Sequence, residues 1–298
     1  MPQDYVKKVS VIGVGIMGTA ISRRLVKCGQ DVTVFDLDRE KMQIMVERGA
    51  TAAGSPSEAT ISAEFVILSL NDAAIVSKAV FGKDGVAEAA SADKVLIDMS
   101  SIDPKSTREC AARLRDEYQM PWLDCPLSGG APGALEGRLA VMAGGEKDDF
   151  ERAKEIMQHL CANFTLMGPS GAGQTTKLVN QVLCAIGFQA IAEATQLAIQ
   201  GGVDVDCIPA ALSGGRADSA LLQEFMAKMG RHDYSPTGRL DNMLKDLEAV
   251  QSFASKTRVA MPVTSLTTEI HRLFVAAGKG GEDNAALMKL FNGPRDEA

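Results

Sequence analysis

A glycine-rich loop near the N-terminus has the residue types that bind phosphate groups. The loop consists of Gly13, Val14, Gly15, Ile16, Met17 and Gly18. Gly13 permits a tight turn, Gly15 lets the backbone approach a pyrophosphate, and Gly18 lets a helix pack closely against a strand. Ile16 and Met17 open that helix, whose unpaired N–H groups and partial positive charge favour an anion. The loop therefore predicts the binding of a dinucleotide.

A carboxylate follows this loop at the spacing that such a site requires. Apolar runs at 8–12 and 31–36 flank the loop and its helix, and the second run ends at Asp36. A carboxylate there accepts hydrogen bonds from the adenosine ribose hydroxyls and repels a 2′-phosphate. Because both strands and the acid are in register, an incidental glycine turn is disfavoured. The sequence predicts NAD as the cofactor, although Arg39 and Lys41 nearby could offset the repulsion.

An amine and an amide lie three residues apart in a long helical pattern. Lys177 and Asn180 share one face of this helix, and Gly173 on the same face is expected to leave room for a substrate. This arrangement suits proton transfer to an alcohol or carbonyl oxygen. Taken alone, Lys177 is more typical of an exposed helix lysine.

Two further segments carry groups suited to binding. After a predicted strand, the backbone N–H groups of Ser128, Gly129 and Gly130 could form a nest for a carboxylate, and the Ser128 hydroxyl adds a donor. Taken alone, this segment is more typical of a glycine turn that leads into the next strand. In a later helical pattern, Lys245 and Asp246 alone indicate a solvated ion pair.

The elements that must position these residues change in type along the chain. Strands are expected at 8–12, 31–36, 65–70, 95–99, 121–125, 139–143 and 164–167, and helical patterns lie between them. This alternation predicts an α/β Rossmann-type domain with a doubly wound, mostly parallel sheet over 1–168. An all-α domain follows over 169–298 and opens with a long interdomain helix at about 173–200.

Ligands bind such sheets beyond the carboxyl ends of the strands. Asp36, Leu70, Asn71 and Ser101 stand at those ends in the predicted sheet. Leu70 and Asn71 are therefore candidate contacts for the cofactor.

Composition narrows the partners. The net charge is −7 and the pI about 5.1, which argues against nucleic acid and anionic membranes. The apolar stretch 182–199 contains Gln189, Glu193 and Gln196, so it is expected to be too polar for a membrane span. The six cysteines are scattered and the N-terminus is polar, which favours a cytoplasmic location. The three histidines lie far apart, so neither a metal site nor a Ser-His-Asp triad is expected.

Four motifs in the same order resemble those of the β-hydroxyacid dehydrogenases, relatives of 3-hydroxyisobutyrate, tartronate semialdehyde, L-threonate and 6-phosphogluconate dehydrogenases. The motifs are Gly13-Val-Gly-Ile-Met-Gly18, Asp124-Cys-Pro-Leu-Ser-Gly-Gly130, Gly171-Ala-Gly-Gln-Thr-Thr-Lys177-Leu-Val-Asn180 and Lys245-Asp-Leu247. The resemblance extends over roughly 7–293. It implies an NAD-dependent dehydrogenase that oxidises a small 3-hydroxy carboxylic acid or reduces the corresponding semialdehyde.

The resemblance also implies roles for individual residues. Lys177 would be the general acid/base, and Asn180 would hold the substrate near it. The substrate carboxylate would be bound by Ser128, Gly129 and Gly130. The other implied contacts are Ser101 near nicotinamide and substrate, Lys245 near the cofactor, and Asp246 in support of the substrate site. Three residues depart from the family pattern without removing a needed group: Cys125 for Ala, Leu127 for Val and Ser101 for Thr.

Two other functions use the same fold. An imine reductase-like enzyme is one, but such enzymes generally lack a lysine at the position of Lys177. A non-catalytic NAD(P)-binding module is the other, and the intact Lys177 and Asn180 argue against it. Similarity of the segment 233–246 to tartronate semialdehyde reductases and L-threonate dehydrogenases favours a polar C3 or C4 acid. Apolar residues along the long helix favour a homodimer or homotetramer.

Overall fold

The computed structural model describes residues 6–291, which form two compact units, one ending at Lys177 and the other beginning at Leu178. Within these residues, the first unit contains a sheet of nine strands. The strands are β1 (Lys8–Ile12), β2 (Asp31–Phe35), β3 (Thr51–Ala52), β4 (Phe65–Leu68), β5 (Val95–Asp98), β6 (Trp122–Asp124), β7 (Leu127–Ser128), β8 (Leu139–Gly144) and β9 (Cys161–Gly168). The sequence does not predict β3 and β7, because two residues are too few to form an apolar run.

The strands follow the order β3-β2-β1-β4-β5-β6-β8-β7, with β9 paired to β8. All neighbours from β3 to β6 are parallel, and β8 runs antiparallel to β6 and β7. The order β3-β2-β1-β4-β5-β6 is that of dinucleotide-binding sheets, whose ligand crevice lies where the order reverses, beside β1. The predicted doubly wound, mostly parallel sheet is confirmed.

Helices pack on both faces of this sheet. They are α1 (Ile16–Lys27), α2 (Arg39–Val46), α3 (Pro56–Ile61), α4 (Ala73–Phe81), α5 (Pro104–Tyr118), α6 (Gly130–Glu136) and α7 (Lys147–Met157), with a 3-10 turn at Val86–Ala89. Successive strand residues point to opposite faces. Val11 therefore packs with Leu25 of α1 in one core, whereas Ile12 packs with Leu114 of α5 in the other.

The helices after β2, β3, β4 and β5 begin with a side-chain cap, but α1 does not. Asp38, Ser55, Asp72 and Asp103 accept hydrogen bonds from the first turns of α2, α3, α4 and α5. Gly15 holds this position in α1, and no side chain among residues 6–291 caps it. Because first-turn N–H groups need a partner, the start of α1 is left to water or to a bound anion.

The regular elements in the described part of the second unit are all helices, as predicted. Helix α8 (Ala172–Gln200) starts in the first unit and continues into the second. The helices that follow are α9 (Ile208–Leu212), α10 (Ala220–Gly230), α11 (Leu240–Thr257) and α12 (Pro262–Ala276), with 3-10 segments at Val205–Cys207 and Asn284–Leu290. Phe188 of α8, Phe225 of α10 and Phe274 of α12 share its core.

The domain boundary proposed from the sequence, between 168 and 169, stays a prediction. Strand β9 ends at Gly168 and α8 begins at Ala172, whereas the compact units divide within α8, after Lys177. Residues 1–5 and 292–298 of the two predicted domains lie outside the described residues.

Helix α8 is the one helix in the described chain that is long and apolar enough, by length and composition alone, to cross a membrane. A core helix meets the same criterion, and Phe188 and Ile191 of α8 are buried in the core of the second unit. The polar residues noted in the sequence include Gln189, which donates to Glu193 at 3.0 Å. The expected lack of a membrane partner and the cytoplasmic location both stay predictions.

Candidate active site

The glycine loop after β1 is shaped by close backbone contacts. Gly13 has a φ of +92°, and a Cβ there would lie 2.4 Å from the carbonyl oxygen of Ser69. A Cβ at Gly18 would lie 1.8 Å from the carbonyl oxygen of Gly13, so only glycine lets α1 start this close to the loop. A Cβ at Gly15, in contrast, would meet nothing within 4 Å. The loop is thus packed tightly on its inner side and open at the point where a pyrophosphate is expected.

Asp36 ties the end of β2 to this loop. Its Oδ2 accepts a hydrogen bond from the N–H of Val14 at 2.8 Å, and its Oδ1 accepts one from the N–H of Asp38 at 2.9 Å. The carboxylate is half-buried and also faces a cavity. Each oxygen keeps a second lone pair, so the group can still accept hydrogen bonds from ribose hydroxyls.

A cavity of about 490 Å³ brings together five of the predicted cofactor residues, Gly13, Gly15, Asp36, Leu70 and Asn71. The other five lie elsewhere: Ile16, Met17 and Gly18 form the first turn of α1, Ser101 follows β5, and Lys245 lies on α11 in the second unit. The open glycine, the uncapped helix and the carboxylate of Asp36 all lie at one end of the sheet. These residues fit a dinucleotide.

Part of the cavity wall was not predicted from the sequence. Ile75, Lys78 and Ala79 of α4 line it, together with Lys83. Their spacing of three and four residues on one helix is the signal that could have found them. Lys41, noted in the sequence, also lines the cavity and forms an ion pair with Asp38 at 3.2 Å.

Lys177 lies beside the predicted substrate segment. Its half-buried amine donates a hydrogen bond to the carbonyl oxygen of Leu127 at 2.8 Å. Leu127 immediately precedes Ser128, which pairs with Ala140 between β7 and β8. Gly129 and Gly130 are exposed at the start of α6, where backbone N–H groups lack helical partners. The structure therefore places the candidate acid/base next to the candidate carboxylate site.

Gly173 serves a different purpose from the one expected. It is buried, and a Cβ there would lie 2.4 Å from the carbonyl oxygen of Met142 and 2.5 Å from that of Asp124. Gly173 therefore makes room for β6 and β8 and not for a substrate.

A buried side-chain network joins the carboxyl ends of the central strands. The Ser100 hydroxyl accepts from the N–H of Leu70 at 3.0 Å, and the Ser100 carbonyl accepts from Gln174 Nε2 at 2.8 Å. Gln174 Oε1 in turn accepts from the N–H of Ile102 at 3.3 Å. Ser101, the predicted contact of nicotinamide and substrate, is half-buried. It lies between Ser100 and Ile102, which are both bonded to Gln174.

In the second unit, Gln181, which was not predicted from the sequence, joins two residues that were, Asn180 and Asp246. Asn180 donates to Gln181 Oε1 at 2.8 Å, and Gln181 Nε2 donates to the carboxylate of Asp246. Asp246 also forms an ion pair with Lys245 at 3.5 Å. Gln181 lies four residues after Lys177 on the same helix, and that spacing was its only signal.

The described residues contain no group of three or more His, Cys, Asp or Glu placed to hold a metal ion. The absence of a metal cofactor stays a prediction.

Comparison with known proteins places the chain in a family. Residues 8–168 match the NAD binding domain of 6-phosphogluconate dehydrogenase, and residues 171–291 match the NAD-binding domain of NADP-dependent 3-hydroxyisobutyrate dehydrogenase. The 2-hydroxy-3-oxopropionate reductase of Escherichia coli is 31% identical over 95% of this chain and 97% of its own length. The L-threonate dehydrogenase of Cupriavidus necator is 27% identical over 96% of this chain and 97% of its own.

A solved structure has the same fold. A 3-hydroxyisobutyrate dehydrogenase from Mycobacterium tuberculosis, solved with L-serine, is 27% identical with a TM-score of 0.87, over 97% of this chain and 100% of that one. Fold, cofactor loop and matches define an NAD(P)-dependent oxidoreductase that acts on small hydroxy acids. The chain belongs to the β-hydroxyacid dehydrogenase family, as its motifs indicate.

The buried carboxyl of Asp98 generates a prediction about pH. Burial raises its pKa to about 7, against hydrogen bonds from the Ser100 side chain and from the N–H of Ser100 to Oδ1 at 3.0 Å, which favour the charged form. Between about pH 4 and about pH 7, the folded protein holds a proton that the unfolded chain releases. The free energy of unfolding should therefore fall, relative to Asp98→Asn, by up to about 1.4 kcal/mol per pH unit as pH rises through this range. Urea unfolding of both proteins at several pH values checks this, and parallel curves would contradict it.

Proposed function

We propose that this protein oxidises a small 3-hydroxy carboxylic acid with NAD, or reduces the corresponding semialdehyde, with Lys177 as the general acid/base. The observation that carries the proposal is the 2.8 Å hydrogen bond from the Lys177 amine to the carbonyl oxygen of Leu127. This bond holds the amine of Lys177, the proposed proton-transfer group, at the residue that directly precedes Ser128, Gly129 and Gly130.

The residues divide the chemistry among themselves. NAD, when bound, accepts the hydride from the hydroxyl-bearing carbon. Lys177 takes the hydroxyl proton in oxidation and returns it to the forming alkoxide in reduction. The bond to the carbonyl oxygen of Leu127 orients this amine, which carries three hydrogens when charged. Ser128, Gly129 and Gly130 hold the carboxylate, which fixes the carbon that faces the nicotinamide.

The remaining roles are part of the proposal. Asn180 holds the substrate oxygen near Lys177, since it follows one helical turn later on α8. Ser101 contacts nicotinamide and substrate, Lys245 approaches the cofactor, and Asp246 supports the substrate site. The names of the relatives, a 2-hydroxy-3-oxopropionate reductase and an L-threonate dehydrogenase, support a polar acid of three or four carbons. A homodimer or homotetramer is proposed on the family resemblance and the exposed apolar residues of α8, such as Leu183 and Leu197.

The two alternatives have less support. An imine reductase-like enzyme leaves the lysine at 177 and its contact with Leu127 unexplained. A non-catalytic NAD(P)-binding module leaves both Lys177 and the motif from Asp124 to Gly130 unexplained.

Asp36 generates a prediction about the choice of cofactor. Because the Asp36 carboxylate faces the cavity, the protein should prefer NAD to NADP, and Asp36→Ser should narrow the preference. The ratio of kcat/KM for the two cofactors measures this. Glu40→Gln is a control, since it removes an exposed carboxylate from the first turn of α2 and should leave the ratio unchanged. Equal efficiency with NADP in the unsubstituted protein would show that Asp36 does not select the cofactor.

The proposed role of Lys177 generates a prediction about the catalytic rate. General acid/base catalysis contributes about 10²- to 10⁴-fold in rate, so Lys177→Ala should lose that much kcat while still binding NADH. Lys177→Arg keeps the positive charge but cannot release a proton, and it should be almost as slow. The kcat for oxidation should rise with pH, because the neutral amine is the base. Near-normal kcat in Lys177→Ala would mean that the lysine is structural.

The proposed carboxylate site generates a prediction about the choice of substrate. Losing two charge-assisted hydrogen bonds costs roughly 3–6 kcal/mol, or about 10²- to 10⁴-fold in kcat/KM. At least one of glycerate, serine, 3-hydroxyisobutyrate or L-threonate should be turned over well, and its amide very poorly. Ser128→Ala should raise KM for the acid more than it weakens NADH binding. Comparable kcat/KM for an acid and its amide would refute the carboxylate site and reopen the imine-reductase alternative.

A further inference from the structure

Asp124 is a buried carboxylate that bonds to the start of the helix carrying Lys177. Its Oδ1 accepts from the N–H of Gly171 at 2.7 Å, and its Oδ2 accepts from the N–H of Gln174 at 2.9 Å. Asp124 is also the last residue of β6, directly before the segment that contains Leu127 and Ser128. One side chain therefore connects the substrate segment to the first turn of α8.

The surroundings of this carboxylate leave it no freedom. A Cβ at Gly144 would lie 2.6 Å from Oδ1, and a Cβ at Gly173 would lie 2.8 Å from Oδ2. Two glycines thus let the backbone close around the group, and each oxygen faces a fixed N–H donor. Burial raises the pKa of Asp124, and the hydrogen bonds from Gly171 and Gln174 oppose that rise by favouring the charged form.

The contact closes a ring that includes the proposed acid/base. From Asp124 the chain runs three residues to Leu127, whose carbonyl accepts from Lys177, and α8 leads from Lys177 back to Gln174. Any rotation or shift of α8 against β6 would move the Lys177 amine relative to Ser128. Misplacement by about 1 Å can cost on the order of 10²-fold in rate.

We propose that Asp124 is a positioning residue for proton transfer, because its carboxylate fixes the distance between Lys177 and the substrate segment. The inference rests on the proposed function of Lys177. Asparagine at 124 offers one acceptor oxygen, and its amide would face a backbone N–H that needs an acceptor. The expected consequence is a shifted α8 and a slower chemical step.

The experiment compares Asp124→Asn with the unsubstituted protein. We expect kcat to fall about 10²-fold, while KM for the acid and the Kd for NADH change less than about threefold. The primary deuterium isotope effect on kcat should rise, because the chemical step becomes limiting. A double variant with Lys177→Ala should be no slower than Lys177→Ala alone, since Asp124 acts through the lysine.

Two further variants separate positioning from stability. Ser219→Ala removes the cap of α10 in the second unit and should lower stability without changing kcat or the isotope effect. Asp124→Ser places no amide against the backbone N–H groups, and it replaces Asp124→Asn in the experiment if that variant does not fold. Unchanged kcat and isotope effect in a folded variant, or failure of both variants to fold, would overturn the proposal. An active Lys177→Ala would instead overturn the proposed function itself.

Discussion

The bond between the buried carboxylate of Asp124 and the first turn of α8 is the contact on which the rest of the site depends. Parallel strands deliver their carboxyl ends to one edge of the sheet, but nothing in the sheet fixes the segments that leave it. Asp124 fixes two of them at once, and Gln174 attaches the same helical turn to Ser100. Because these groups are buried, each unmade bond would cost about 1–3 kcal/mol, so the arrangement tolerates little drift.

In the cofactor cavity, too, backbone hydrogen bonds hold a carboxylate in place. Asp36 is bonded to backbone N–H groups of its own strand end and of the glycine loop before any ligand arrives. Its charge is therefore held in place by the protein, and ribose hydroxyls find an acceptor that needs no rearrangement. Family membership establishes a nicotinamide cofactor, and Lys41, Lys78 and Lys83 line the same cavity as this carboxylate.

Local patterns predicted the sheet, the glycine loop and the helical second unit, because strand and helix periods and glycine spacing are properties of neighbouring residues. They did not predict β3 and β7, which are too short to form an apolar run, or the purpose of Gly173, which is defined by contacts with residues far away in sequence. Gln181 shows the limit most clearly. Its bond to Asp246 spans 65 positions, and no pattern within α8 distinguishes a buried glutamine that bridges two motifs from one that faces water.

The first helix has a further consequence. Since α1 begins without a side-chain cap, a bound dinucleotide would supply the partners that its first N–H groups lack. A ligand that binds only the folded form raises the free energy of unfolding by mass action, by about 2.7 kcal/mol at a hundred times its Kd. The chain would then resist proteolysis in proportion to the dinucleotide pool around it. Its lifetime, and not only its catalytic rate, would report the supply of cofactor in the cell.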